Sequence, residues 1–224
     1  MTVTDPAYAP DRRPIRSRDR ALSIRTAAWL AQRGASPNAI STAGMIAGIL
    51  AGAAFAGTRF VSWSWLGFLA AAACMQLRLL ANMFDGMVAL QTGRASPVGE
   101  LYNEVPDRVS DTAILIGAGY AVGGMPELGY LAAIAALFTA YVRAQGKAAG
   151  APQEFCGPMA KPQRMALLTA SAVLAAIVPQ NWWPHVSAHP EQGIIALALL
   201  LIVIGGVITT LRRLGRIARS LRKS

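Results

Sequence analysis

The chain has 224 residues, 54% of them hydrophobic and only 14% charged, with a formal net charge of +10. That balance excludes an ordinary soluble core and points to a membrane protein. The positive charge does not indicate a nucleic-acid partner, because the basic residues punctuate apolar runs rather than forming one stripe.

Residues 1–20 form a basic arm containing "DRRPIRSRDR" and no apolar run of signal-peptide type. The next stretch, 21–35, mixes Leu22, Ile24 and Trp29 with Arg25 and Arg33. It reads as an interfacial amphipathic helix with its arginines toward anionic headgroups; a solvated basic arm is the competing reading. Residues 36–215 carry six apolar segments, and 216–224 form a basic tail.

The segments begin at Ala39–Gly57 and Ser62–Leu90, followed by Gly99–Val122 and Leu128–Gln145. Met165–Val178 and Gly193–Leu211 complete the set. Most approach the ~20 residues that cross a hydrocarbon core, and the fifth must borrow its flanks. The predicted fold is therefore all-α and polytopic, with six transmembrane helices. Lys and Arg gather at both termini, around Gly93 and between Ala144 and Arg164, whereas the opposite loops hold only Arg59. The positive-inside rule places both termini in the cytoplasm, which for a bacterial cell means a multi-pass inner-membrane protein. Cys74 and Cys156 lie far apart and read as unpaired thiols. Pro184 and Pro190 flank His185 and His189, which favours a loop over a helical metal pair.

Five of the eleven acidic residues fall between Asp85 and Asp111, joined by Glu100, Glu104 and Asp107. On a helix, Asn82, Asp85, Gly86 and Ala89 make one stripe, and Gly99, Asn103, Asp107 and Asp111 make another. Gly93 and Pro97 mark a turn between them. Antiparallel packing around that turn puts 82 level with 107, 86 with 103 and 78 with 111. Arg78 and Asp111 are then expected as an ion pair closing the deep end. From Arg78 to Asp111 the five carboxylates outnumber the three arginines (Arg78, Arg94, Arg108) by two. One divalent cation would balance that excess, and hard oxygen ligands suit Mg²⁺ or Mn²⁺. A purely structural ion-pair network is the competing reading.

The segment N-x2-D-G-x2-A-L-x8-G-x3-N-x3-D, from Asn82 to Asp107, resembles the D-x2-D-G-x2-A-R-x8-G-x3-D-x3-D signature of the CDP-alcohol phosphotransferases (CDP-alcohol phosphatidyltransferases). "SPNAIS", Ser36 to Ser41, is similar to the start of that family's first span. The chain departs from the pattern at Asn82, Asn103 and Leu90. The resemblance implies phosphatidyl transfer from CDP-diacylglycerol to a polar alcohol, with release of CMP and a requirement for Mg²⁺ or Mn²⁺. In the family the four acidic positions hold two cations. Carried over residue by residue, Asp85 and Asp107 become metal ligands, with Asp107 also the catalytic base. Asn82 and Asn103 become neutral oxygen ligands, for which Glu104 or Glu100 could compensate. Asn38, Gly86, Ala89 and Gly99 would line the CDP site, and a homodimer is expected.

Arg94, Arg143, Lys161 and Arg164 ring the same expected face and are candidates for an anionic acceptor headgroup, such as an alcohol phosphate. Contacts with membrane lipid phosphates would explain the same residues. Two other functional readings compete with the enzyme. One is a non-catalytic lipid- or nucleotide-binding protein with weakened metal binding. The other is a small transporter using its buried carboxylates.

Overall fold

Seven α-helices account for most of the computed structural model, which describes residues 20–93, 97–184 and 193–222. They are α1 (Ala21–Gln32), α2 (Pro37–Gly57), α3 (Ser64–Gln91), α4 (Pro97–Gly119), α5 (Pro126–Ala148), α6 (Lys161–Ile177) and α7 (Ile194–Leu221). A short 3₁₀ turn, Gln180–Trp182, follows α6. Among the described residues the fold is all-helical, and the expectations for Arg94, for the Glu100 side chain, for His185 and His189 and for the first 19 residues lie outside them.

Local chemistry explains the helix starts. Ser36 caps α2 by accepting the Ala39 N–H at 3.1 Å, and Pro37 occupies the first turn, where its missing donor costs nothing. Prolines also open α5 and α6. The turn from α3 ends at Gly93, whose φ of +64° lies in the left-handed region that glycine tolerates.

Four helices, α2, α3, α5 and α7, are long and apolar enough to cross a membrane. The α4 helix carries Glu100, Glu104, Asp107, Arg108 and Asp111 and is too polar to qualify by composition. The 17-residue α6 is slightly short of a full crossing. Rather than stopping near Leu211, α7 continues unbroken through the basic residues to Leu221.

The expectation that α3 and α4 pack on each other as a hairpin is corrected by α2. The α2 helix packs extensively against both of them, and α3 and α4 meet chiefly through long side chains. Glycines on α2 allow this wedge. A Cβ on Gly44 would stand 2.9 Å from Ala81 Cβ of α3. One on Gly48 would collide with Ser110, and one on Gly52 with the Ala113 carbonyl, both in α4. This Gly-x3-Gly-x3-Gly stripe brings the backbones close, as small residues do between membrane helices. The remaining helices close the bundle, α6 against α3 and α7, and α5 against α4 and α7.

Phe55, Phe68 and Trp183 stack edge to face at the end away from the acidic stretch. Outward-facing Ile46, Leu50, Leu77, Ile134, Leu201 and Ile204 remain exposed, the pattern of a bundle solvated by lipid. The α1 helix packs on α3 through buried Ala27 and leaves Leu22 and Trp29 exposed, with the Arg33 guanidinium 5.0 Å above the Trp29 ring.

Candidate active site

The wedge of α2 opens a cleft between α3 and α4. Ser41 and Gly44 come from α2, Asn82 and Asp85 from α3, and Asn103 and Asp107 from α4. It encloses about 190 Å³, open mouth included. The space inside it open to a water-sized group is only about 10 Å³, roughly that of one water. The cleft itself has room for one small ion, and any larger ligand would extend outside it.

Its deep end is closed by ionic contacts. Arg78, 1% exposed, donates through Nη2 to Asp111 Oδ1 and, at 3.2 Å, to Asp107 Oδ1. Its Nε donates to Ser110 Oγ at 2.9 Å. Arg164 supplies the second partner of Asp111, with Nη2 3.1 Å from Oδ2, and donates through Nη1 to the Met159 carbonyl at 3.0 Å. The expected Arg78–Asp111 contact is therefore part of a buried triad.

Nearer the mouth, Lys161 reaches in from the start of α6. Its Nζ donates to Asp107 Oδ2 and, at 3.0 Å, to Asn82 Oδ1. Asn82 Nδ2 donates to Asn103 Oδ1 at 2.7 Å and toward Asp107 Oδ2 at 3.4 Å. The segment before α6 fixes that lysine's origin. Met159 N–H donates to Thr209 Oγ1 at 2.9 Å, and Arg213 of α7 donates to the Cys156 carbonyl at 3.0 Å and the Thr139 carbonyl at 2.9 Å.

Asp85 is different. It is 3% exposed, and its Oδ2 accepts the Ser41 hydroxyl at 2.6 Å. Its Oδ1 is buried with no hydrogen-bond partner. A carboxylate oxygen left bare at depth is costly unless a cation meets it.

Two expectations change against this geometry, for Glu104 and for the basic ring. Glu104 does not line the cleft; it is 42% exposed and held by Arg108 at 3.2 Å and Arg143 at 2.5 Å. Arg143, Lys161 and Arg164 do not form an open basic ring, because Glu104, Asp107 and Asp111 respectively draw them into ion pairs. Asn38 lies exposed in the first turn of α2, one turn before Ser41. Gly86 and Ala89 are buried on α3, and Gly99 is half-buried near the start of α4. Sequence reasoning missed Ser41 as a contact of Asp85, although it ends the quoted "SPNAIS" segment.

Does the donor set suit a divalent cation? No three acidic, histidine or cysteine side chains converge among the described residues. The bare Asp85 oxygen fits one hard cation completed by water or phosphate oxygens, with Asp107 in the same cleft held by Arg78 and Lys161 and both amide oxygens accepting N–H donors.

No protein-family model matches the chain. The chain is 26% identical over 200 residues to phosphatidylinositol phosphate synthase of Streptomyces avermitilis, covering 86% of this chain and 76% of that protein. It is 29% identical over 163 residues to archaetidylinositol phosphate synthase of Aeropyrum pernix, covering 72% and 76%. Among solved structures, Mycobacterium tuberculosis phosphatidylinositol phosphate synthase in complex with manganese and citrate superposes with a TM-score of 0.70 at 20% identity, over 88% of this chain and 89% of that one. The same synthase with CDP-DAG bound gives 0.68 at 20% identity, over 87% and 92%. The bundle of α-helices around this cleft thus has the fold of a phosphatidylinositol phosphate synthase.

Proposed function

We propose that the protein is a CDP-alcohol phosphatidyltransferase, moving the phosphatidyl group of CDP-diacylglycerol to a polar alcohol and releasing CMP. The observation that carries this reading is the bare Asp85 oxygen, set beside Asp107 in the small polar cleft between α2, α3 and α4. The curated relatives, and the CDP-DAG-bound and manganese-bound structures of the same fold, support it.

Helices α2 to α7 are the six spans, with α1 lying along the membrane surface and both termini cytoplasmic. Residues 1–20 are then a basic arm and 36–215 the membrane domain. The cleft faces the cytoplasmic half, where a soluble acceptor arrives. Exposed apolar side chains provide the lipid contacts, and a homodimer is the proposed assembly.

Mg²⁺ or Mn²⁺, held by Asp85 and Asp107, would neutralise the charge that builds on the donor phosphates. Asp107 accepts the proton of the attacking hydroxyl at Oδ2, while Arg78 holds Oδ1. The acceptor oxygen forms its bond to the phosphorus of the phosphatidyl group, the bond to the CMP oxygen breaks, and CMP leaves. Ser41 fixes Asp85 through Oδ2 and leaves Oδ1 as the oxygen without a hydrogen-bond partner. The cytidine would lie outside the cleft, toward exposed Asn38 and half-buried Gly99, with the small Gly86 and Ala89 buried beneath on α3. An acceptor bearing a phosphate would have to draw Arg143, Lys161 or Arg164 away from their carboxylates.

A second reading, a binding protein without catalysis, is favoured by the engagement of Asp107 with Arg78 and Lys161. The two separate in one experiment. Purified protein is incubated with CDP-diacylglycerol, Mn²⁺ and a panel of polar alcohols and alcohol phosphates, and the lipids are read by mass. A new phospholipid with one acceptor supports the enzyme; bound donor with no new lipid across the panel supports the binder.

A further inference from the structure

Three of the four motif positions are closed upon one another. Asn82, Asn103 and Asp107 form a continuous hydrogen-bonded group, and the ammonium of Lys161 sits at its centre. Asn82 Oδ1 and Asn103 Oδ1 each accept an N–H donor, and both oxygens of Asp107 face cations. Only Asp85 retains a bare oxygen. We propose that Lys161 is a built-in cation that takes the place of a second divalent ion, so that the cleft binds a single Mg²⁺ or Mn²⁺.

Charge bookkeeping supports the assignment. Asp85 and Asp107 are balanced by Arg78 and Lys161, which leaves the cleft neutral. A single divalent ion adds two positive charges, which the two phosphates of a pyrophosphate donor offset. A second would leave an excess of two at membrane depth even with the donor bound, a placement that burial penalises heavily. The asparagines then have a physical reason. Carboxylates at 82 and 103 would overfill the surroundings of one ammonium, whereas amides both donate and accept and so bridge Lys161 to Asn103. Lys161 is also placed by construction rather than by a wandering side chain. The Thr209 and Arg213 contacts anchor the segment that ends at Ala160, where α6 begins.

The proposal rests on the divalent-cation reading of the cleft, and its test does not depend on turnover. Mn²⁺ binding is measured in detergent without CDP-diacylglycerol, by equilibrium dialysis or by loss of the free-ion spin-resonance signal. CMP release is assayed on the same preparations. One Mn²⁺ per chain is expected for wild type and for Asn82→Asp/Asn103→Asp, and two for Asn82→Asp/Asn103→Asp/Lys161→Met. Lys161→Gln, with a polar head, replaces the methionine variant if the latter does not fold. Two ions in wild type or in the double variant would overturn the proposal, as would one ion in the folded triple variant. No ion in wild type also overturns it, and CMP release then decides separately whether phosphatidyl transfer stands.

Discussion

Asp85 and Arg78 lie on the same helix, both almost fully buried, and substitution should affect them in opposite ways. Asp85→Asn keeps an oxygen for the Ser41 hydroxyl and removes a buried charge that makes no ion pair among the described residues. Its melting temperature in detergent should be unchanged or higher, while CMP release falls on the order of 10²-fold or more. Arg78→Ala should instead unfold the protein at lower temperature, at a cost of about 3–5 kcal/mol, by stripping Asp107, Asp111 and Ser110 together. Adding Asp111→Ala should recover part of that loss, with a coupling of about 0.5–3 kcal/mol. Recovery stays incomplete because Arg164 then loses its carboxylate. Strictly additive losses would contradict the triad. The Arg78–Asp111 contact was legible from helical spacing alone, since 78 and 111 fall at one depth across a turn near Gly93. Arg164 and Lys161 were not placed correctly, because their partners lie 53 and 54 residues away and only tertiary packing brings α6 to the cleft. From the sequence, a lysine near the cytoplasmic face and one inserted between two motif residues look the same.

The decisive element is α2. Hydropathy and turn signals found each of the six long helices, with ends within a few residues, except that α7 runs on to Leu221. They did not reveal that α2 separates α3 from α4, because apolar periodicity says that a helix is buried, not between which neighbours. The Gly44, Gly48 and Gly52 stripe carries that information in its spacing. Gly52→Ala, which drives a Cβ into the Ala113 carbonyl, should destabilise the bundle by about 1–3 kcal/mol and disturb the cleft. Gly57→Ala on the same helix meets nothing within 4 Å and should be neutral or stabilising by up to about 1 kcal/mol. Thermal unfolding of the two variants side by side checks the wedge; equal losses would remove it. The segment before α6 is a second element-scale device. Arg213→Ala should raise hydrogen exchange across residues 151–160, since the Cys156 carbonyl loses its donor. Unchanged exchange there would show that Thr209 alone suffices to hold the segment.

At the scale of the whole molecule, an apolar bundle surrounds one polar cleft among the described residues, and buried ionic contacts converge on it from α3, α4 and α6. Such a concentration of charge in a lipid-facing fold is costly, and a reaction on phosphates gives it a use. The resemblance of the acidic motif to the CDP-alcohol phosphotransferase signature already implied that use; the balance of charge within the cleft emerged only from the folded chain. The central claim is that this cleft transfers the phosphatidyl group of CDP-diacylglycerol. Its most direct test is CMP release by the purified protein with CDP-diacylglycerol and an accepted alcohol, as Mn²⁺ is titrated in and then removed by chelator. The account predicts CMP release that rises with Mn²⁺, stops with chelator and is lost in Asp85→Asn. Donor binding with no CMP at any Mn²⁺ concentration, or release that persists undiminished in Asp85→Asn, would contradict it.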